Sequence, residues 1–182
     1  MIEPQDSELV HQCLNGNTNA FETLVEKYQK PIFNIAYRMT NNYDDAEDIT
    51  QSVFVKAYEK LGMYNSKYKF FSWIYRMAMN ETLNHLNQHR RIEALNKDYV
   101  SKDKTPEESY DETEMSEEVQ DALTNIGFEY QGLIVLRHFQ HFSYRDIAYI
   151  LDIPEKKVKS RLFSARQMLR EILSQKGIMP ND

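Results

Sequence analysis

The chain has 182 residues and only one cysteine, Cys13, so an intrachain disulfide is excluded and nothing calls for an oxidising compartment. Five glycines and five prolines are too few for collagen-like or Gly-rich β architectures, and their scarcity favours helix. No apolar run approaches the roughly 20 residues of a membrane helix, and mean hydropathy is -0.67; membrane insertion is not expected. The amino terminus, MIEPQDSELV, lacks the basic-then-apolar order of a secretory signal, which leaves the cytoplasm as the expected location. Net positive charge is missing as well. A charge of -6 at pH 7 would by itself argue against a nucleic-acid partner.

The charge is unevenly spread, however, and the local field rather than the total decides whether a phosphate backbone is attracted. Residues 155–182 hold seven bases against three acids, and residues 61–96 hold five against two. Lys97 to Glu118 holds nine acids against three bases with few aliphatics, a composition too poor in apolar surface to offset its ordering entropy. That stretch reads as a linker between two basic feet.

Helical periodicity runs through the part before the linker. Ser7 suits the cap of a first helix carrying Leu9, Val10 and Cys13, and Asn17 or Thr18 that of a second with Phe21, Leu24, Val25 and Tyr28. Pro31 suits the first turn of a third, with Ile32, Ile35, Ala36 and Met39. A fourth begins near Asn42, with Asp44, Asp45, Glu47 and Asp48 early, where the helix dipole favours anions. Residues 62–69 read as a loop, and Phe70 to Arg91 as one long helix.

Two stretches carry chemistry. In SYRDIAYILDIPEKKVKSRLFSARQMLREIL, Ser143 with Asp146 forms a capping-box-like start to a short helix, Asp152-Ile153 a tight turn, and Pro154 the start of a long helix with inner face Val158, Leu162, Ala165 and Leu169. Short helix, turn and long basic helix make a helix-turn-helix, whose second helix enters the major groove. Lys157, Lys159, Ser160, Arg161, Phe163, Ser164 and Arg166 lie on or near the faces outside the core stripe, where bases reach phosphates and Ser or the ring touches base edges. Upstream, YKFFSWIYRMAMNETLNHLNQHRR interleaves rings, amides and bases: Tyr68, Phe71, Trp73, Arg76, Asn80, Asn84, Arg90 and Arg91 suit exposed single-stranded bases. Trp73 also fits a plain core stripe with Phe71, Ile74, Met77 and Ala78.

DDAEDITQSVFVKAY, FSWIYRMAMN and the helix-turn-helix resemble, in order and spacing, the two modules of an extracytoplasmic-function sigma factor of bacterial RNA polymerase. The resemblance implies an all-α chain of two small helical domains joined by a flexible acidic linker, the second a helix-turn-helix four-helix domain. It assigns residues 1–93 to a region 2 domain, 94–116 to the linker and 117–182 to a region 4 domain. It implies core RNA polymerase and promoter DNA as partners, together with an anti-sigma factor, and no cofactor, metal or catalytic chemistry in the chain. By position, Asp45, Asp48, Gln51 and Phe54 match the polymerase-binding element. Tyr64, Asn65 and Tyr68 match the loop that pockets a flipped minus-10 base, an extrusion that costs a few kcal/mol. Ser143 joins the α-helical readers of the minus-35 element.

Rivals come from other classes. A helix-turn-helix regulator working without polymerase accounts for residues 119–174 and leaves the aromatic unit unexplained. Glu81, His85 and His89, at four-residue intervals, can share a helix face as metal ligands, but no HExxH accompanies them. A protein that only sequesters a partner is the third.

Overall fold

The computed structural model describes residues 5–95 and 117–178, and every regular element among them is helical. The first module holds α1 (Asp6–Leu14), α2 (Asn19–Thr40), α3 (Tyr43–Glu59) and α4 (Phe70–Leu95), with a 3-10 turn at Leu61–Met63. The second holds α5 (Glu117–Asn125), α6 (Phe128–Ile134), a π-helical turn at Val135–Phe139, α7 (Tyr144–Leu151) and α8 (Glu155–Gln175). The expected linker, apart from its ends, lies outside the described residues.

Two helix boundaries differ from the sequence expectation. Residues 19–40 form a single helix with Pro31 inside it, where two helices were expected. Proline removes the hydrogen bond to the carbonyl of Lys27 and costs about 3 kcal/mol in a helix interior. Leu24, Tyr28, Ile32, Ile35, Ala36 and Met39 are all buried on one face across that point. At roughly 1.5–3 kcal/mol for each large side chain, their burial outweighs the proline. At the chain's start, α1 begins at Asp6 with Gln5 rather than Ser7 at the cap. Asp6 has a tertiary reason to be there: its carboxylate accepts from Lys27 Nζ and from the Tyr28 hydroxyl, each at 2.6 Å.

Local signals fix other ends. Asn41 stops α2 in the left-handed region at φ 55°, and Asn42 caps α3 by accepting from the Asp45 amide at 3.0 Å. Ser143 Oγ accepts from the Asp146 amide at 3.1 Å and donates to the Asp146 carboxylate at 2.6 Å. Asp152, at φ 55°, makes the turn into α8.

The two modules share one hydrophobic core, with Met39 and Met79 of the first continuous with Leu133, Leu136 and Ile150 of the second. The carbonyl of Arg38, in the last turn of α2 where helical partners run out, accepts from Gln120 Nε2 at 2.9 Å and Gln131 Nε2 at 2.8 Å. Both glutamines are buried, and the second module thereby caps a helix of the first. Gly132 lets α6 approach this closely: a Cβ there would sit 2.7 Å from the Met79 methyl.

Candidate nucleic-acid interface

The α3 residues divide by helical face. Asp44, Glu47, Asp48 and Gln51 are exposed, whereas Phe54 is buried at 9% exposure and packs in the core beneath the helix. Asp45 turns toward α4, with Oδ1 2.9 Å from His85 Nε2 and 3.7 Å from His89 Nε2. The open face extends further than the sequence motif suggested, because Val55 and Tyr58 follow Gln51 at helical spacing and remain 58% and 48% exposed. Their period with Gln51 was the available signal.

The loop before α4 is tightly tied. The Tyr64 hydroxyl donates to the Tyr68 carbonyl at 2.6 Å, and Asn65 Oδ1 accepts from the Lys67 amide at 3.0 Å. Tyr64 packs its ring on Phe70 and Trp73 at centroid distances of 5.5 and 5.6 Å, and burial pushes its phenol pKa up. Trp73 is itself a core residue at 9% exposure and packs beneath Tyr64. Asn80, Asn84, Arg90 and Arg91 are exposed along α4. Asn84 and Arg91 border a cleft of about 480 Å³ between α3 and α4, which Asp48, Lys56 and Glu81 also line.

Three of the expected strand-contact residues are engaged by the second module. Tyr68 stacks on Tyr149 with centroids 4.2 Å apart, and Phe71 stacks on Phe142 at 5.0 Å. Arg76 Nη1 donates to the Tyr149 carbonyl at 3.1 Å, and its Nη2 lies 3.1 Å from Asp152 Oδ2. Beside them, the Tyr75 hydroxyl donates to Gln140 Oε1 at 3.1 Å. Gln140, Phe142 and Tyr149 carry no sequence signal for this contact, since their partners are more than 60 residues away along the chain.

On α8, Lys157, Lys159, Ser160, Phe163 and Arg166 are exposed, Phe163 at 64%. Lys159 Nζ sits 5.8 Å from the Tyr144 ring centroid, a distance suited to a cation–π contact. Arg161 pairs with Glu129 at 2.8 Å, and Arg166 Nε donates to His138 Nε2 at 3.2 Å. Ser164 is half-buried and its hydroxyl donates to the Ser160 carbonyl at 3.3 Å. Lys157, Ser160 and Phe163, flanked by Lys159, make one exposed face of α8.

Residues 24–92 match the family model for Sigma-70 region 2, and residues 116–169 that for Sigma-70 region 4. The fold resembles that of CnrH in complex with the cytosolic domain of CnrY, with a TM-score of 0.71 and 22% identity over 93% of this chain and 97% of that one. It also resembles the sigma factor RpoE in complex with the anti-sigma factor NepR from Bartonella quintana, with a TM-score of 0.72 and 21% identity over 85% and 96%. Along the sequence, the ECF RNA polymerase sigma-E factor of Haemophilus influenzae is 31% identical over 90% of this chain and 93% of its own. The RNA polymerase sigma-H factor of Pseudomonas aeruginosa is 31% identical over 95% of this chain and 96% of its own. With both sigma modules in order and near end-to-end likeness to such relatives, the chain belongs to the extracytoplasmic-function sigma factors of bacterial RNA polymerase.

Proposed function

We propose a division of labour within this sigma factor. The open face of α3, Asp48 and Gln51 with Val55 beside them, docks on core RNA polymerase. Tyr68, Phe71, Arg76, Asn80 and Asn84 take the unstacked minus-10 strand after Tyr64 and Asn65 have shaped the loop. Lys157, Lys159, Ser160 and Phe163 of α8 meet the minus-35 element, and Ser143 fixes the helix that precedes it. The chain supplies positioning and base capture, phosphodiester chemistry belongs to the polymerase, and the cytoplasm is where it meets its partners.

The observation that carries this reading is the occurrence of an aromatic loop-helix unit and a helix-turn-helix in one chain, in the order of regions 2 and 4, with Asp48 and Gln51 exposed on α3. The Tyr68, Phe71 and Arg76 contacts add a condition. The second module engages one side of each, with Tyr68 still 47% exposed, so releasing these contacts frees the full surface for strand capture. An anti-sigma partner fits the same arrangement, since a protein that clasps both modules together keeps those rings engaged by the second module.

Run-off transcription with bacterial core polymerase on a library of promoter fragments tests the reading, with product expected only when this chain is added. Asp48→Lys combined with Gln51→Ala is expected to weaken core binding at least tenfold, about 1.4 kcal/mol, in a fluorescence titration, with an unchanged helical circular dichroism spectrum. Wild-type affinity in that double variant would remove the α3 face from the docking surface.

A further inference from the structure

Two helices of the first module bring three metal-ligating atoms close together. Asp45, in the first turn of α3, is set by the Asn42 cap, whose side chain holds the Asp45 amide at 3.0 Å. His85 and His89 are one turn apart on α4, with ring centroids 4.6 Å from each other. One donor atom from each of the three residues lies within 4.8 Å of the others. Asp45 Oδ1 is 2.9 Å from His85 Nε2 and 3.7 Å from His89 Nε2. Ligand atoms about 2.0–2.1 Å from a tetrahedral zinc ion stand roughly 3.3 Å apart, and the two distances bracket that value.

The buried nitrogen gives the second observation. His85 Nε2 is sealed from solvent and makes no hydrogen bond, with Asp45 Oδ1 2.9 Å away. A buried ring nitrogen left without a partner is costly, and an ion held between it and the carboxylate satisfies both. Glu81, the neighbour one turn earlier on the same helix, is not part of the set: its carboxylate pairs with Lys56 Nζ at 2.5 Å. The ligands suggested by four-residue spacing alone therefore change by one, with Asp45 of α3 replacing Glu81 of α4.

We propose that Asp45, His85 and His89 form a binding site for a divalent transition-metal ion of the zinc class, fastening the first turn of α3 to the middle of α4. Two imidazoles and a carboxylate suit Zn2+ better than Mg2+ or Ca2+, which take oxygen donors. His89 is exposed, so the ion enters from solvent on that side, and coordination positions beyond the three protein ligands face water. The site stands on this geometry whatever surface α3 offers to polymerase.

The full chain, stripped of metal by a chelator, is titrated with Zn2+ by calorimetry and with Co2+ by visible absorption. One ion per chain is expected, with the intense Co2+ bands of a four- or five-coordinate site. His85→Gln, His89→Gln and Asp45→Asn should each weaken Zn2+ binding by about tenfold or more, while His138→Gln and Glu81→Gln leave it unchanged. Zn2+ should also raise the thermal midpoint of the wild type and not that of His85→Gln, with circular dichroism reporting that each variant is folded. Absence of a saturable Zn2+ site in the wild type, or equal affinity in folded His85→Gln, would overturn the proposal. Loss of binding in His138→Gln with retention in His85→Gln would place the site elsewhere and overturn it equally.

Discussion

Single side chains on the second module differ in how much of their binding capacity is already engaged. Lys157 and Lys159 lie exposed, Arg161 is held by Glu129, and Arg166 is held by His138. Alanine at Lys157 or Lys159 is expected to weaken promoter binding at all sequences alike and to reduce the slope of log affinity against log salt by about one for each phosphate no longer bound. Substitution of Ser160 or Phe163 should instead change which minus-35 sequences are preferred, as read by competition among promoter variants. If all four changes lowered every promoter equally, α8 would position the protein without reading bases.

His138 gives a pH prediction at the same scale. Its Nε2 accepts from Arg166, which requires that nitrogen to be unprotonated, and burial together with the Arg166 and Arg137 charges lowers its pKa below the usual histidine value. The folded imidazole holds a proton less well than the unfolded one. Its contribution to stability is therefore fully present above the unfolded pKa of about 6.5 and is lost as pH falls from there through the lower folded value. In an NMR titration, His138 should titrate below ordinary histidine, and Arg166→Gln should move it upward without restoring the full value, since burial is the larger cause. An unmoved titration would show that the Arg166 contact is not held in solution.

Among the elements, α2 and α3 are the informative pair. Asn42 occupies the cap with backbone and side-chain geometry that alanine cannot reproduce, and Asn42→Ala should cost about 1 kcal/mol in urea unfolding. Pro31→Ala should act in the other direction, by roughly 1–2 kcal/mol, because the helix already continues through that residue and regains a backbone donor. A destabilised Pro31→Ala protein would mean that packing requires the proline ring itself. Pro31 also explains why one helix stands where two are expected. A proline is compatible with a first turn or with an interior turn, and only burial of residues on both sides decides between them.

Across the whole molecule, the second module packs against the aromatic loop-helix unit of the first. Tyr149, Phe142 and Gln140 cover or hold Tyr68, Phe71 and Tyr75. Apparent affinity for a minus-10 single strand is reduced by the fraction of molecules that are closed. Changing only the second-module side separates opening from strand contact. Tyr149→Ala with Gln140→Ala should enlarge the radius of gyration in X-ray scattering and raise affinity for a minus-10 single-stranded oligonucleotide about fivefold, equivalent to roughly 1 kcal/mol. Unchanged scattering and unchanged affinity would show that these contacts do not limit opening.

The helical class, the capped starts at Asn42 and Ser143, the turn at Asp152 and the basic outer face of α8 were legible in the sequence, because each depends on residues within a few positions of one another. The family was legible there too, carried by three motifs in order. Packing between helices was needed to bury Trp73 and Phe54, to turn Glu81 to Lys56, and to bring Asp45 to His85 and His89. The same packing placed Tyr68 on Tyr149 and capped α2 with Gln120 and Gln131. Periodicity assigns a side chain to a face of its own helix; it does not say which other helix lies against that face, and that pairing is set by the packing of the shared core.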